Sequence, residues 1–487
     1  MPASRASRYP AAALRVMASS LALAVTFFSF AHAGAKDVKT IYSVIEERRA
    51  TDRQLADRIW GHAEVGYKEK ESSALLQETL RTAGFDVKSG IAGIPTAFVA
   101  ATGSGKPVIG ILAEFDALPG ISQDAVPERA PVKGRPAGHA YGHHLFGTGS
   151  TSAAIAVKKW LEETGRAGTL RLYGTPAEEG GAGKVYIARA GHFEDVDVVL
   201  HWHPDDVNNA SPTTSLANRS AKFRFQGQSA HAAGAPDQGR SALDGVEAMN
   251  YMANLMREHM PQETRMHYVI TSGGSAPNVV PDYSEVFYYL RHPDPRVLNQ
   301  LWDRLLKTAE AGALGTGTRV EHEVIHGAYS LLNNETLAKV VDQELRAVGG
   351  FAYTAEEHAF AQKIQSTLMD PRPIESAAQV QPYKPEQQYG STDVGDVSWL
   401  VPTVGLRAAT WVPGTPAHSW QAVAAGGMSI GHRGMEVASK TLARTAVVLY
   451  QDPKLIRAAR AEFERKRGNF QYQPLLGDRD PPLNYRD

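Results

Sequence analysis

The chain has 487 residues, a length that accommodates two or three domains with separate hydrophobic cores. Its formal net charge of −1 gives no sign of a nucleic-acid partner or an anionic membrane surface, and its hydrophobic fraction of 43% is ordinary for a soluble globular protein. Cysteine is absent, which excludes disulfides, thiolate metal sites and cysteine nucleophiles.

The N-terminus has the pattern of a secretory signal peptide. Arginines precede an apolar run at 17–31, and the Ala-His-Ala sequence at 31–33 has the small-x-small form of a signal peptidase site. The run is short for a bilayer span, which favours cleavage over an uncleaved anchor. We therefore expect residues 1–33 to be removed and the mature protein to be exported, either to the periplasm or to the medium, without a membrane attachment.

The following part of the chain alternates between helical and strand patterns. Apolar residues at helical spacing predict two helices within 40–85. The strands and helices expected after them lie at 96–100, 108–112, 149–163, 169–173, 183–190 and 196–201. Strands that alternate with helices indicate an α/β domain with a mostly parallel central sheet. We assign residues 34–213 to the first part of this domain.

From residue 214 the predicted order becomes strand, helix, strand, strand, helix, strand, which is typical of a small open α+β sandwich. These elements are expected at 222–225, 241–259, 266–272, 284–290, 295–310 and 319–325. The pattern then returns to α/β, with a strand at 404–409 and a helix at 435–450. The sequence thus predicts a domain at 214–329 inserted into a larger one, whose second part spans 330–455. Residues 456–487 are expected to form a peripheral C-terminal extension.

Clusters of acidic residues and histidines follow the predicted strands, where ligands bind in open α/β sheets. They are AEFD at 113–116, GHAYGHH at 138–144, EE within a glycine-rich loop at 178–179, HWH at 201–203 and AHS at 417–419. Each cluster alone has an ordinary explanation, such as solvated acids at a turn or imidazoles that cap a helix. Together they fit a divalent cation site with one or two ions.

Two of the clusters suggest how the chemistry is divided. His139 and His143 are four residues apart, so one helical turn would align them. In an adjacent pair of glutamates, one carboxylate can bind a cation while its neighbour serves as a general base. In the inserted domain, His231 follows a predicted strand and could reach across to a substrate, and Asn278 is a similar polar outlier.

These motifs, in this order, resemble the zinc-type aminoacylase/carboxypeptidase family of metallohydrolases, and within it the amidohydrolase branch of aminobenzoyl-glutamate utilization protein B. The resemblance extends over about residues 40–450. It implies a catalytic α/β domain interrupted by an α+β lid domain that dimerises. It also implies hydrolysis of an amide bond by water activated on one or two divalent ions, either Zn or Mn.

The resemblance assigns roles by motif position. Glu178 would be the general base, and His231 would be the lid histidine that stabilises the oxyanion, often in the partner subunit's site. Asp116 would orient an ion ligand without contacting the ion itself. The implied ligands are His143, Glu179, His203 and His418, and the residues implied to contact the substrate are Asn278 and Arg291.

The chain departs from this pattern at Tyr141, where the related branch has a cysteine that binds or bridges metal. A phenol, with a pKa near 10, is a poorer ligand than a thiolate. The alternative ligands are therefore Tyr141 itself, His139, His144, His201 and Glu114, the last of which stands where many distant relatives have a ligating histidine.

The predicted function is that of a metal-dependent amidohydrolase that cleaves N-acyl amino acids, such as aminobenzoyl-glutamate or related conjugates, and acts as a homodimer. A metallo-carboxypeptidase or dipeptidase that acts on peptides is the first alternative. A metal-poor binding protein that keeps the fold without catalysis is the second.

Overall fold

The computed structural model describes residues 33–486. The signal peptide predicted at 1–33 therefore lies outside the described residues, except for Ala33. Among the helices that are described, none is at once long and apolar enough to span a bilayer.

The first half of the chain forms a regular series of helices and strands. They are α1 (Ala35–His62), α2 (Lys70–Thr82), β1 (Asp86–Ser89), β2 (Phe98–Ser104), β3 (Val108–Ala113), β4 (Leu118–Pro119), β5 (Ala137–Gly138), α3 (His143–Thr164), β6 (Gly168–Gly174), α4 (Gly183–Arg189) and β7 (Val198–Asp205). Then follow β8 (Thr213–Thr214), β9 (Ala217–Gln226), α5 (Ala242–Met256), β10 (Arg265–Ser272), β11 (Tyr283–His292), α6 (Pro295–Thr316) and β12 (Arg319–Ala328).

The last third of the described chain is mostly helical. Its elements are α7 (Glu335–Val348), α8 (Ala355–Gln365), β13 (Glu386–Gln387), α9 (Val394–Ser398), β14 (Thr403–Ala409), α10 (Trp420–Gly426), α11 (Ser429–Gln451) and α12 (Pro453–Arg467). Only β14 of these joins the large sheet, so the second part of the chain closes a sheet that the first part began.

The six-stranded sheet has the order β1-β2-β6-β3-β7-β14. Strands β6, β3, β7 and β14 are mutually parallel, while β1 and β2 form an antiparallel pair at one edge. All six residues of β3 are buried, as expected for a central strand that is covered on both faces. The predicted fold class, α/β with a mostly parallel central sheet, is confirmed.

The second sheet is four-stranded and antiparallel, with the order β10-β11-β9-β12. Its elements follow one another as strand, helix, strand, strand, helix, strand, in the predicted order. Phe223, Tyr288 and Trp302 are buried in a core shared by the sheet and its helices. The sheet lies within the range 214–329, although the exact domain boundaries stay a prediction.

Helix α3 begins at His143, earlier than the predicted 149. Gly147 and Gly149 lie within the helix because the sheet approaches it closely there. A Cβ on Gly147 would lie 2.7 Å from the Glu114 carbonyl oxygen, and one on Gly149 would lie 3.0 Å from the Trp202 ring. The early start brings the first turn of α3 to the end of β3, directly beside the acidic cluster.

The C-terminal residues pack against distant parts of the chain, while their assignment as a separate extension stays a prediction. Helix α12 crosses the predicted boundary at 455, and Glu462 on it accepts hydrogen bonds from the backbone of Glu335 and Thr336 at the start of α7. Further on, Leu475 and Leu476 are buried, the former in the core of the second sheet. The arginines and prolines of this segment gave it a polar composition that concealed its packing.

Candidate metal and catalytic site

The residues expected to carry the chemistry gather at the carboxyl ends of the parallel strands. Glu114 and Asp116 follow β3, Glu178 and Glu179 follow β6, His203 lies in β7 and His418 follows β14. A cavity of about 410 Å³ adjoins them, and its wall includes Arg291 from the second sheet. The site is therefore lined by both sheets, in the position that open α/β sheets favour for ligands.

Asp116 connects two of the expected ligands. Its Oδ1 lies 2.9 Å from Nδ1 of His143, and its Oδ2 accepts a 2.9 Å hydrogen bond from the backbone N–H of Glu179. Since Nδ1 is engaged by a carboxylate, Nε2 of His143 is the nitrogen that faces the site, and it makes no hydrogen bond. Asp116 can therefore fix the orientation of the His143 ring without contacting an ion itself.

Glu114 is the alternative ligand that the structure brings into the cluster. Its Oε2 lies 3.1 Å from Nε2 of His143 and 3.2 Å from Nε2 of His203. The ligand atoms of these three residues lie within 4.8 Å of one another. Imidazole nitrogen and carboxylate oxygen are the donors that zinc and manganese bind, so this donor set fits a divalent ion.

Lys184 completes the surroundings of Glu114, and the sequence reasoning gave it no role. Its side chain is fully buried, with Nζ 2.7 Å from Oε1 of Glu114 and 2.8 Å from Oδ1 of Asp393. Burial by itself would lower the pKa of Lys184, but these two carboxylates raise it above its ordinary value, which keeps the ammonium charged. The only signal in the sequence was the lysine that ends the glycine-rich loop motif after the glutamate pair.

The two adjacent glutamates face different surroundings. Oε1 of Glu179 lies 3.1 Å from Nε2 of His418, whereas the carboxylate of Glu178 lies within 4.8 Å of both the Glu179 carboxylate and His143. Burial, followed by the charges of Glu114 and Glu179, raises the pKa of Glu178 well above its ordinary value. A cation bound beside it opposes this shift, because it favours the ionised form.

Tyr141 stands in the middle of the expected ligands. Its ring centroid lies 5.6 Å from those of His143 and His203 and 5.4 Å from that of His418. Burial raises the pKa of its phenol to about 12, although the guanidinium of Arg407 opposes that shift. Arg407 itself donates a 2.6 Å hydrogen bond to Asp205. These surroundings favour a neutral phenol over a phenolate ligand.

The structure places one ring nitrogen of His139 and one of His144 against backbone carbonyls. His139 precedes α3, so no helical turn aligns it with His143, and its Nε2 lies 3.1 Å from the Ile59 carbonyl oxygen. Nε2 of His144 lies 3.0 Å from the Gly426 carbonyl oxygen. The two rings pack together at 4.8 Å, and burial lowers the pKa of both. Both are buried, and neither belongs to a group of possible ion ligands among the described residues.

His201 stays close to the site without joining its ligand groups. It lines the cavity, and its ring lies 5.6 Å from that of His203. A Cβ on Gly405 would lie 2.3 Å from the His201 ring, so the glycine makes room for it. Burial lowers the pKa of His201 to about 3. This histidine is therefore a neutral part of the cavity wall.

The three residues expected from the inserted domain are divided between two places. Arg291 on β11 lines the cavity, and its Nε is buried without a hydrogen bond. His231 and Asn278 are exposed and close to each other, since His231 pairs with Val279 in a short bridge and the Ala232 N–H donates to the Asn278 carbonyl. Neither of them lines the cavity of its own chain.

The chain matches the family model described as peptidase family M20/M25/M40 over residues 111–468. Among curated proteins, it is 41% identical to a p-aminobenzoyl-glutamate hydrolase subunit of Escherichia coli K12 over 460 residues, which cover 88% of this chain and 96% of that protein. It is 29% identical to the mouse Xaa-Arg dipeptidase over 445 residues, 86% of this chain and 92% of that protein.

Among solved structures, the chain is similar to a dinuclear metal-binding peptidase of the M20 family from Bacillus subtilis. The TM-score is 0.57 at 17% identity, and the match covers 83% of this chain and 99% of that one. At this identity the likeness concerns the fold, and it agrees with the two-sheet architecture described above.

Proposed function

Since the chain belongs to peptidase family M20/M25/M40 and is a metal-dependent hydrolase of amide bonds, we propose that its substrates are N-acyl amino acids with an acidic amino acid, of the p-aminobenzoyl-glutamate kind. The observation that carries the proposal is the cavity itself. Its lining includes Glu178, Glu179, His203 and His418 together with Arg291, whose Nε makes no hydrogen bond, so an amide bond and a carboxylate could be held together.

The ion ligands we propose are His143, Glu179, His203 and His418, with Glu114 as a further carboxylate ligand beside His143 and His203. A divalent ion bound by such a set supplies Lewis-acid activation of water and of the amide carbonyl. Asp116 supports this set by fixing the ring of His143 and the backbone of Glu179.

Glu178 is the proposed general base. Its carboxylate lies at the cavity wall, next to the ligand cluster and free of the contact that Glu179 makes with His418. It would take a proton from the attacking water and deliver it to the leaving amine. The ammonium of Lys184, held by Glu114 and Asp393, limits the repulsion that these carboxylates exert on Glu178.

Arg291 is the proposed partner of the substrate carboxylate. A guanidinium pairs with carboxylates in a fixed two-pronged geometry. Much of the remaining cavity wall consists of neutral polar side chains, including Asn218, Thr213 and Gln388. Such a wall favours a polar acyl amino acid over a strongly apolar one.

An assay of purified protein with p-aminobenzoyl-glutamate, acetyl-amino acids and unblocked dipeptides tests this proposal. We expect hydrolysis of acyl-glutamates, loss of activity with a chelator and its return with Zn²⁺ or Mn²⁺. Arg291→Gln should raise KM for acyl-glutamates more than it lowers kcat. Faster turnover of dipeptides than of every acyl amino acid would instead support a dipeptidase, and absence of bound metal would support the non-catalytic alternative.

We also propose that two copies of the chain associate through β10, the strand at one edge of the second sheet. The opposite edge is partly covered, since Arg479 donates hydrogen bonds to the carbonyls of Val324 and Ile325 on β12. By contrast, Val269 and Ile270 on β10 expose 56% and 40% of their surface. An apolar and uncovered edge strand is a ready surface for a second sheet.

A dimer of this kind gives His231 a catalytic role. Because His231 and Asn278 lie outside the cavity of their own chain, we propose that they act in the cavity of the partner, where the imidazole stabilises the oxyanion. Mixed dimers of Glu178→Gln and His231→Ala chains should then recover part of the activity that each variant loses. Absence of recovery in verified mixed dimers would contradict the shared site.

Export is the remaining part of the proposal, supported by the signal-like pattern before residue 34. Expression of the full chain in a Gram-negative host should yield a shortened protein in the periplasmic fraction. Recovery of unprocessed chain in the cytoplasm would contradict it.

A further inference from the structure

The loop that carries Glu178 and Glu179 has an unusual backbone. Ala177, Gly180 and Ala182 all have positive φ, at 58°, 91° and 58°. For a residue with a Cβ this conformation is unfavourable, and it persists only where surrounding contacts hold it. The ion-binding loop, residues 177–182, therefore depends on partners outside itself.

Three of these partners lie in the catalytic half of the chain. The Ala177 N–H donates to Glu69 at 2.8 Å, the Glu179 N–H donates to Asp116 at 2.9 Å, and the Tyr67 hydroxyl donates to the Gly181 carbonyl at 2.6 Å. They fix both ends of the loop and the peptide before Glu179. None of these three hydrogen bonds involves the peptide group between Glu179 and Gly180.

The C-terminal strap, which we define as residues 468–486, supplies that contact. The Tyr485 hydroxyl donates to the Glu179 carbonyl at 3.0 Å, and the Arg486 guanidinium donates to the same oxygen at 2.5 Å. Gly66 leaves room for the Tyr485 side chain to reach the loop, since a Cβ on Gly66 would lie 2.3 Å from the Tyr485 hydroxyl oxygen. The Tyr485 ring also packs edge-on against Tyr67, with centroids 5.6 Å apart.

The strap is itself firmly attached. The Tyr329 hydroxyl donates to the Gln473 carbonyl at 2.7 Å, and Leu475 is buried against Gly327 in the core of the second sheet. Arg189 donates to the carbonyls of Gly477 and Arg479 at 2.7 and 2.8 Å. Residues 485 and 486 therefore belong to a segment anchored along its length, which lets them position a group rather than fray.

From these contacts we infer that the C-terminal strap is a positioning element of the active site, in which Tyr485 and Arg486 fix the backbone of Glu179. The two peptides that flank Glu179 are then held from opposite sides, one by Asp116 and one by the strap. The direction of the Glu179 carboxylate towards His418 follows from this arrangement. The inference rests on the proposed role of Glu179 as an ion ligand.

The test compares the double variant Tyr485→Phe/Arg486→Met with the wild-type protein and with Asn484→Ala. The double variant removes both donors and keeps the aromatic ring against Tyr67. Asn484 is a matched control, because its side chain accepts from Lys68 and does not reach the loop. Amide hydrogen exchange of residues 177–183 is measured on the metal-free proteins, followed by the Kd for Mn²⁺, kcat, KM and Tm.

We expect exchange in the loop to become about tenfold faster in the double variant, since two hydrogen bonds are lost. The Kd for Mn²⁺ should rise about 10- to 100-fold, as for other groups that support a metal ligand. At saturating metal, kcat should fall while KM and Tm stay close to those of the wild-type protein. Tyr485→Phe/Arg486→Lys, which restores one donor, should recover part of the affinity, and Asn484→Ala should match the wild-type protein.

Unchanged loop exchange in the double variant would overturn the inference, and so would faster exchange with unchanged Kd and kcat. These outcomes are separate from failure of the proposed function, which would show as a wild-type protein that neither binds Mn²⁺ nor hydrolyses amides. In that case the exchange measurement alone decides, since faster exchange supports the strap as a positioning element and unchanged exchange refutes it.

Discussion

The two regions that we expect to take part in function differ in how many of their contacts lie within a single copy of the chain. At the ends of the parallel strands, Asp116, Glu114 and Lys184 each contact two or more groups of the site within the same chain. In the segments that follow β9 and β10, His231 and Asn278 are exposed, and β10 itself presents apolar side chains to solvent. The first region is preorganised by contacts within one chain, whereas the second exposes the histidine and the apolar strand that the proposed dimer would use.

Loss of the general base should give the largest effect on activity, because the preorganised region would then lack the group that takes the proton from water. Glu178→Gln keeps the shape of the side chain and removes its ability to take a proton, so kcat should fall by about 10²- to 10⁴-fold. Metal content and Tm should stay unchanged. Glu356→Gln, an exposed position at the start of α8, is the matched control. A fully active Glu178→Gln enzyme would remove Glu178 from the mechanism.

Removal of the buried ammonium is expected to reduce stability. Lys184→Met leaves the carboxylates of Glu114 and Asp393 without their cation, and breaking a buried ion pair in this way costs about 3–5 kcal/mol. Chemical denaturation of the metal-free protein measures the loss. Lys339→Met, which breaks an exposed pair with Glu335, should cost less than about 1 kcal/mol.

Equal costs for the two lysine variants would mean that the Lys184 cluster contributes no more than a surface pair. Metal analysis adds a second readout, since an unpaired Glu114 is expected to hold its ligand position less well. Unchanged metal affinity together with a large loss of stability would limit Lys184 to a structural role.

The sequence predicted the fold well because periodicity and composition report on single elements, and here those elements follow a simple order. The strand at 108–112 was expected from its unbroken apolar run, and the structure has β3 at Val108–Ala113. The start of α3 at His143 was missed, since the glycines at 147 and 149 weaken its helical pattern and act through close packing instead. The contacts of the C-terminal segment could not be predicted for a similar reason, because they are made with distant parts of the chain.

The site was predictable only as far as its motifs lie at strand ends. Glu114 directly after β3, His143 at the start of α3 and His203 near the end of β7 have ligand atoms within 4.8 Å of one another. His139 and His144 were grouped with them by proximity in sequence, yet both rings turn towards backbone carbonyls in the core. Lys184 and Asp393 are 209 residues apart, and no local pattern relates them.

The proposed contact between two chains can be tested on β10, the edge strand of the second sheet. Val269→Asp puts a charge where we propose that two sheets meet, and it should weaken self-association on the order of tenfold or more, since a buried unpaired charge is unfavourable. Light scattering over a range of concentrations measures it. Met369→Asp, at an exposed apolar position outside the second sheet, is the control. If His231 acts in the partner's cavity, activity should fall together with the dimer fraction.

A dimer that survives Val269→Asp would place the interface elsewhere, and an active monomer would remove the need for a shared site. Either result would weaken the contrast between a self-contained region and one that requires a partner.

The smallest effect is expected at Tyr141, where the self-contained region departs from the family pattern. Tyr141→Phe removes the hydroxyl but keeps the ring between His143, His203 and His418. Because burial raises the pKa of the phenol to about 12, the neutral form should predominate, and metal content should stay the same. Arg407 keeps its hydrogen bond to Asp205, so kcat should change by less than about threefold, the scale of one modest hydrogen bond.

Tyr141→Cys tests the same position with a side chain that binds metal more strongly, because a thiolate is a stronger ligand than a phenol. We expect it to tighten metal binding, whereas Tyr141→Phe should leave it unchanged, and titration with a competing chelator measures both. Loss of bound metal in Tyr141→Phe would show that the phenol is itself a ligand. Unchanged affinity in both variants would mean that position 141 is not part of the metal site.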